Sequence, residues 1–360
     1  MEFKRFFHSF LFSAFAVLSF WQCDSESATE SQSGSLGPIF EVVDAEHSGV
    51  DFINTLESDP KTARNNIRYD YYYNGAGVAV GDINNDGLPD LFFAANEAPN
   101  RLYINQGDFK FKDVTAESQL NSSKKNWSTG AVMADVNGDG WLDIYVCQAG
   151  YAIYEDRSDR ENLLFINNKD GTFSESAESY GINDGNESVS AAFFDYDKDG
   201  DLDLYVLNES KYAKRVFRDV FKELEDPKNL RQASGSLYRN DGGEYVDVTE
   251  AAGVMNFGYG LGLSVADIND DGWPDIYVSN DYYIPDFMYV NNGDGTFTNE
   301  IKKRTKNVPF YGMGSDISDF NNDGLLDIVS VDMDAKYHMH DNTLMASMNI
   351  EGFRYFTEKR

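Results

Sequence analysis

One nine-residue pattern, Asp-x-Asn/Asp-x-Asp-Gly-x-x-Asp, occurs five times in the chain: DINNDGLPD at 82–90, DVNGDGWLD at 135–143, DYDKDGDLD at 195–203, DINDDGWPD at 267–275 and DFNNDGLLD at 319–327. From the differences among 82, 135, 195, 267 and 319, the first aspartates are 53, 60, 72 and 52 residues apart. A period near 50 with insertions marks a repeat architecture, in which one supersecondary unit is copied and each copy buries its apolar surface against the next.

The flanks of each copy say what that unit is. Short runs rich in glycine and apolar residues precede the loops (GAGVAVGD, TGAVMAD, SAAFFD, GLGLSVAD, GMGSDISD), and DLFFA, DIYVC, DLYVL, DIYVS and DIVSV follow them. These following runs are β-branched and aromatic and only four or five residues long, which predicts strands joined by the loop as a hairpin. Most repeats then carry a second hairpin signature: NRLYINQGDFKFKDVT, NLLFINNKDGTFSES, GSLYRNDGGEYVDVT and DFMYVNNGDGTFTNE. Each of these is a strand, an Asn/Asp/Gly turn and another strand. Four short antiparallel strands at this period predict an all-β fold, a β-propeller of four-stranded blades with five repeats visible.

The loops themselves read as calcium sites. Side-chain oxygens stand at positions 1, 3, 5 and 9, a backbone carbonyl is available at position 7, and glycine holds position 6 where the backbone must turn sharply. The predicted ligands are Asp82, Asn84, Asp86 and Asp90 with Leu88; Asp135, Asn137, Asp139 and Asp143 with Trp141; and Asp195, Asp197, Asp199 and Asp203 with Asp201. The last two loops offer Asp267, Asn269, Asp271 and Asp275 with Trp273, and Asp319, Asn321, Asp323 and Asp327 with Leu325. An EF-hand is excluded, because position 12 is Phe93, Val146, Val206, Val278 or Ser330 and never a glutamate. Asp, Asn and Gly also form ordinary turns, but five copies gather three or four carboxylates each, and two such charges about 4 Å apart repel by roughly 4 kcal/mol at an effective dielectric near 20. All-oxygen ligands favour Ca²⁺ over Zn²⁺, and about five structural ions are expected.

The formal net charge of −31 disfavours nucleic acid and anionic membrane surfaces as partners and favours cations. Five bound ions would bring it to about −21.

With DxNxDGxxD loops alternating in fixed order with NxLYxNxGDGxF, the chain resembles the FG-GAP or VCBS repeats of bacterial surface proteins, which are related to the integrin α-chain propeller and to cartilage acidic protein. The resemblance covers about residues 38 to 350. The stretches DFINTLESDPKTARNNIRYDYYYNGAGVAVGD and MGSDISDFNNDGLLDIVSVDMDA are similar to long exported members from the Bacteroidetes, some of which end in an UnbV-type module. The resemblance implies rings of seven blades. With five calcium repeats, the chain is expected to be part of a longer protein, the alternative being a smaller ring closed by a strand near IFEVVD.

Lys4 and Arg5 followed by an apolar run from Phe6 to Trp21 predict a signal peptide over 1–22, of lipoprotein type with Cys23 as the lipidated residue, or else a cleaved and secreted product. A polar Ser/Glu-rich linker is expected over 23–37 and the propeller over 38–360. Within the propeller, residues 209–231 predict an amphipathic helical insertion, with Val216, Phe217, Val220, Phe221 and Leu224 at helical spacing and Pro227 stopping the run. Cys147 is expected to be a buried free thiol, and Tyr71, Tyr72 and Tyr73 to fill space rather than face ligand. His338 and His340 read as a solvated loop. No serine elbow, HExxH or phosphate loop is present. The function expected is a non-catalytic surface binding or adhesion module for a glycan or a surface protein, with a polysaccharide lyase or hydrolase, or an assembly platform, as the rival readings.

Overall fold

The computed structural model describes residues 40–120, 127–150, 153, 156–210, 217–282, 284–306, 308–309 and 311–332. The signal segment, Cys23, the linker, Val216, His338 and His340 lie outside them. Val43–Arg360 forms one compact unit, separate from Met1–Val42.

The first blade comprises β1 (Val78–Gly81), β2 (Asp90–Phe93), β3 (Arg101–Asn105) and β4 (Phe111–Asp113). The second comprises β5 (Ser128–Ala134), β6 (Asp143–Gln148), β7 (Leu163–Asn167) and β8 (Phe173–Glu175). The third has β9 (Glu187–Phe194), β10 (Asp203–Glu209), β11 (Ser236–Asn240) and β12 (Tyr245–Asp247), and the fourth β13 (Gly260–Ala266), β14 (Asp275–Asn280), β15 (Phe287–Asn291) and β16 (Phe297–Asn299). Of a fifth, the described residues contain β17 (Gly312–Ser318) and β18 (Asp327–Asp332). Every sheet is an antiparallel meander in chain order, as the two hairpin signatures predict. Residues 40–44, the described part of the IFEVVD stretch, form no strand; a single helical turn, Ala45–Ser48, follows, capped by the Asp44 side chain.

The inner strands β1, β5, β9, β13 and β17 lie beside one another in that order, the arrangement of blades around a common axis. The core sits between blades. Phe92 and Leu102 of the first pack with Ile144, Val146 and Phe165 of the second, and equivalent layers join the second to the third and the third to the fourth. Strands β6, β10 and β14 are buried along their whole length because both faces meet a neighbouring blade, which is why their central residues are apolar without a break rather than alternating. Cys147 is one of these buried residues, a free thiol whose pKa burial pushes up.

Inner strands approach too closely for side chains at one register position. A Cβ on Gly130 would stand 2.5 Å from the Val189 carbonyl oxygen of the next blade, so Gly130→Ala is expected to cost about 1–3 kcal/mol in urea denaturation. An unchanged midpoint would mean that the blades are not packed edge to edge as described.

The turn from β14 to β15 contains a buried acid. Asp286 accepts the Asn280 N–H at 2.9 Å and the Tyr277 hydroxyl at 2.7 Å, and burial, with Asp332 adding, pushes its carboxyl up to about 7. A raised folded pKa means that the folded state holds the proton more tightly. The stabilisation is therefore complete below about pH 4 and lost as pH rises through about 7. Asp286→Asn is expected to flatten the stability profile by about 1–3 kcal/mol over that window, measured by denaturant titration at constant calcium.

The described part of the expected helical insertion is helical, but as two helices rather than one. Glu209 ends β10, and two helices follow, Phe217–Leu224 and Pro227–Arg231. Pro227 does not stop a single helix but opens the second, with the Asp226 side chain capping it. Val220 and Leu224 are buried against Phe257, Tyr259 and Ile284. Among the described residues no helix is long and apolar enough to cross a membrane.

Candidate metal centres

All five loops join the first strand of a blade to the second, and they share one backbone conformation. Position 4 is left-handed in each, at Asn85, Gly138, Lys198, Asp270 and Asn322, with φ between 57° and 70°. Position 6 is glycine with φ between 85° and 100°. At Gly200 a Cβ would meet nothing within 4 Å, so the demand for glycine is conformational. Gly200→Ala is expected to destabilise by about 1–2 kcal/mol, read from a urea midpoint, and no change would contradict the shared turn.

These turns point the carboxylates inward. Asp82 accepts the Asp86 N–H at 3.0 Å on one oxygen and the Gly87 N–H at 2.7 Å on the other. The same pair of bonds recurs at Asp135, Asp195, Asp267 and Asp319. Position 3 accepts the position 5 N–H at Asn84, Asn137, Asn269 and Asn321. In the third loop one oxygen each from Asp195, Asp197 and Asp203 lies within 4.8 Å of the others. There Asp197 Oδ1 is buried with no hydrogen-bond partner. A buried carboxylate oxygen left without a donor is costly, and three converging carboxylates suit a hard cation. The donor set thus fits Ca²⁺, with the positions 1, 3, 5 and 9 side chains and the position 7 carbonyl as the groups that would hold it.

The ninth residue has a second duty that motif matching missed. Asp90 takes the Ile83 N–H at 3.0 Å on one oxygen and the Asn105 N–H at 2.8 Å on the other, tying the loop to the end of the third strand. Asp143, Asp203 and Asp275 do the same with Val136 and Asn167, Tyr196 and Asn240, and Ile268 and Asn291. These four acids are buried, and burial raises their carboxyls, Asp143 to about 6 and Asp203 to about 7, against the lowering effect of the backbone donors. In the fifth loop Asp327 accepts the Phe320 N–H at 3.2 Å.

Neighbouring loops also touch in pairs. Asn85 donates to the Gly140 carbonyl at 3.0 Å, and Asn167 reaches back to the Ile83 carbonyl at 2.9 Å. Lys198 sits 4.2 Å from the centre of the Trp273 ring, and Asn291 reaches the Tyr196 carbonyl at 2.8 Å. The third-strand asparagine was legible in the sequence as part of NxLYxN, but not as a clamp between blades.

At the opposite end of the strands, the starts of the repeated inner strands meet a segment that is not repeated. Segment 69–73, YDYYY, lies here, and each of three tyrosines donates its hydroxyl to an acid at or just beyond the end of the second strand of a different blade: Tyr72 to Glu97, Tyr69 to Glu209 and Tyr71 to Asp281, at 3.2–3.4 Å. Tyr71 and Tyr72 are buried as expected, whereas Tyr73 is exposed. Beneath them lies a cavity of about 400 Å³.

A family model described as FG-GAP-like repeat matches residues 82–146, 151–206 and 271–330, together half of the chain. Human cartilage acidic protein 1 is 28% identical over 268 residues, which is 70% of this chain and 38% of that protein. A T-cell immunomodulatory protein homolog of Plasmodium falciparum is 23% identical over 272 residues, covering 62% of this chain and 36% of its own. The chain therefore spans little more than a third of the length of these relatives. Among solved structures, an Agrocybe aegerita lectin that recognises non-reducing terminal N-acetylglucosamine is 18% identical, with a TM-score of 0.37 over 70% of this chain and 59% of that one.

Proposed function

The chain belongs to the FG-GAP-like repeat family, and from that premise we propose that it is a calcium-stabilised, non-catalytic binding module of the cell surface, whose ligand is a glycan or another surface protein. The observation that carries this reading is the division of labour between the two ends of the blades. At one end the recurrent aspartates are drawn into the backbone of five like turns. At the other, the unrepeated tyrosine segment covers a cavity that the starts of the inner strands line. Scaffolds of this kind place recognition on the segments that vary, while repeated residues hold the frame.

In this proposal calcium neutralises each group of carboxylates and ties both strands of a hairpin to one ion. The protein's own residues keep the loops ready: the left-handed turns set the ligand oxygens, and the ninth aspartates anchor them to the third strands. Export through the N-terminal signal, with lipidation at Cys23, would present the module on the outer membrane or cell surface, and mass spectrometry of the mature N-terminus reads that directly.

The test is a glycan array and a surface-protein pull-down, each run in millimolar calcium and again in chelator. Ligand capture that is lost on chelation supports the proposal. Release of reducing or unsaturated ends from a polysaccharide would replace it with an enzyme, and equal capture by the metal-free, unfolded chain would remove the role given to the loops.

A further inference from the structure

The cavity under the tyrosine segment is lined by the starting ends of the inner strands of all five blades, including Gly77, Thr129, Ser190, Leu261 and Met313, with Tyr69 and Tyr71 on the other side. Its wall also contains Glu209. That side chain is 1% exposed, forms no ion pair with any described residue, and has one side-chain hydrogen bond, from the Tyr69 hydroxyl at 3.2 Å. No residue lining the cavity is Lys, Arg or His.

A buried carboxylate facing an open space, with no counter-charge among the described residues, is an expensive arrangement, because one tyrosine hydrogen bond offsets little of its desolvation. Neighbouring acids make it worse. Glu187, itself paired with Arg160, and Asp70 and Asp281 add to the burial that raises the Glu209 carboxyl well above its ordinary range. A positive guest removes that cost.

We propose that this cavity binds a compact organic ammonium ion, the nitrogen meeting Glu209 and its stem lying against Tyr69 and Tyr71. Aromatic rings attract such cations through their π-faces, and a cavity of about 400 Å³ is in the range of small-ligand sites. A divalent metal fits less well, since it needs several converging oxygens. Among the described residues the group of acids that converges in that way is Asp195, Asp197 and Asp203, at the other end of the blade. The ammonium has two natural sources, a lysine side chain of a partner protein and an amino sugar.

This inference rests on the reading of the chain as a binding module. The experiment is calorimetric titration of the full chain, calcium-loaded and at about 0.15 M salt so that the net negative charge is screened. The probes are Nα-acetyl-lysine amide and the disaccharide of glucosamine, each beside its N-acetylated neutral counterpart. One charged probe is expected to bind one site per chain, at least ten-fold more tightly than its neutral counterpart, and the better of the two names the source. Glu209→Gln is expected to weaken it at least ten-fold while raising the melting temperature, which shows that the variant folds. Glu97→Gln, at another tyrosine-bonded acid but outside the cavity wall, is expected to leave affinity unchanged.

Equal binding of charged and neutral probes, unchanged affinity in Glu209→Gln, or no binding of either charged probe overturns the proposal. So does displacement of the probe by added calcium together with loss of one bound calcium in Glu209→Gln, which would make the cavity a metal site. Capture of a glycan or protein that survives Glu209→Gln would leave the binding-module reading standing and remove only this cavity from it.

Discussion

Removing calcium should lower the melting temperature of the full chain by about 6–20 °C. A ligand that binds only the folded state stabilises by RT ln(1 + [L]/Kd) at each site. For loops of the weak extracellular kind, with Kd on the order of 10⁻⁴ to 10⁻³ M, about 2 mM calcium contributes roughly 0.6–2 kcal/mol per site and about 3–9 kcal/mol over five. At about 2 °C per kcal/mol for a domain of this size, the shift follows. The measurement is a calorimetric melt in millimolar calcium and again in excess chelator, with magnesium as a control. Coincident, cooperative melts in both would reduce the five loops to turns. A rise with magnesium equal to that with calcium would point to charge neutralisation without a fitted site.

The second large effect separates the two duties of the loop aspartates. Asp203→Ala should cost about 2–5 kcal/mol even in chelator, because it leaves the Tyr196 and Asn240 N–H groups without the acceptor each now has. Asp199→Ala, at an exposed position of the same loop, should stay within about 0.5 kcal/mol of the parent in chelator and fall below it only when calcium is present. Urea denaturation of the two variants under both conditions makes a four-way comparison. Equal losses for both in chelator would mean that position 9 is no more a clamp than position 5. Silence of both under all conditions would remove the loops from the stability of the fold altogether.

Pairing between loops adds a finer consequence. Lys198 lies over Trp273 of the next loop, and Asn291 bridges the same two blades. Substituting Lys198 therefore changes the surroundings of a loop to which it contributes no ligand, an effect invisible to motif matching.

Some of this was legible because it is written in local periodicity. Strand runs such as DIYVC and DLYVL are short and apolar after their leading aspartate, and a strand buried on both faces has to look that way. The hairpins were legible because their turns demand glycine, asparagine and aspartate at set offsets. Pro227 was misread for a related reason. Proline ends one helix and opens the next equally well, and only the Asp226 cap distinguishes the two.

What the sequence by itself determined, then, is the unit: a four-stranded blade with an acid-rich turn at one end, repeated at a spacing that forces each copy against the next. Short-range chemistry suffices for that, since backbone conformation and strand burial depend on neighbours in the chain. Only the tertiary structure decided which groups meet across blades. Asn167 and Asn291 become clamps because the preceding blade presents a carbonyl to them, and Gly130 must be glycine because the next inner strand lies against it. Tyr71, Tyr72 and Tyr73 read as space-filling aromatics; only the tertiary structure shows that Tyr69, Tyr71 and Tyr72 each deliver a hydroxyl to a different blade, from Glu97 to Asp281. Those partners are up to 210 residues away, and no local rule specifies a distance of that kind.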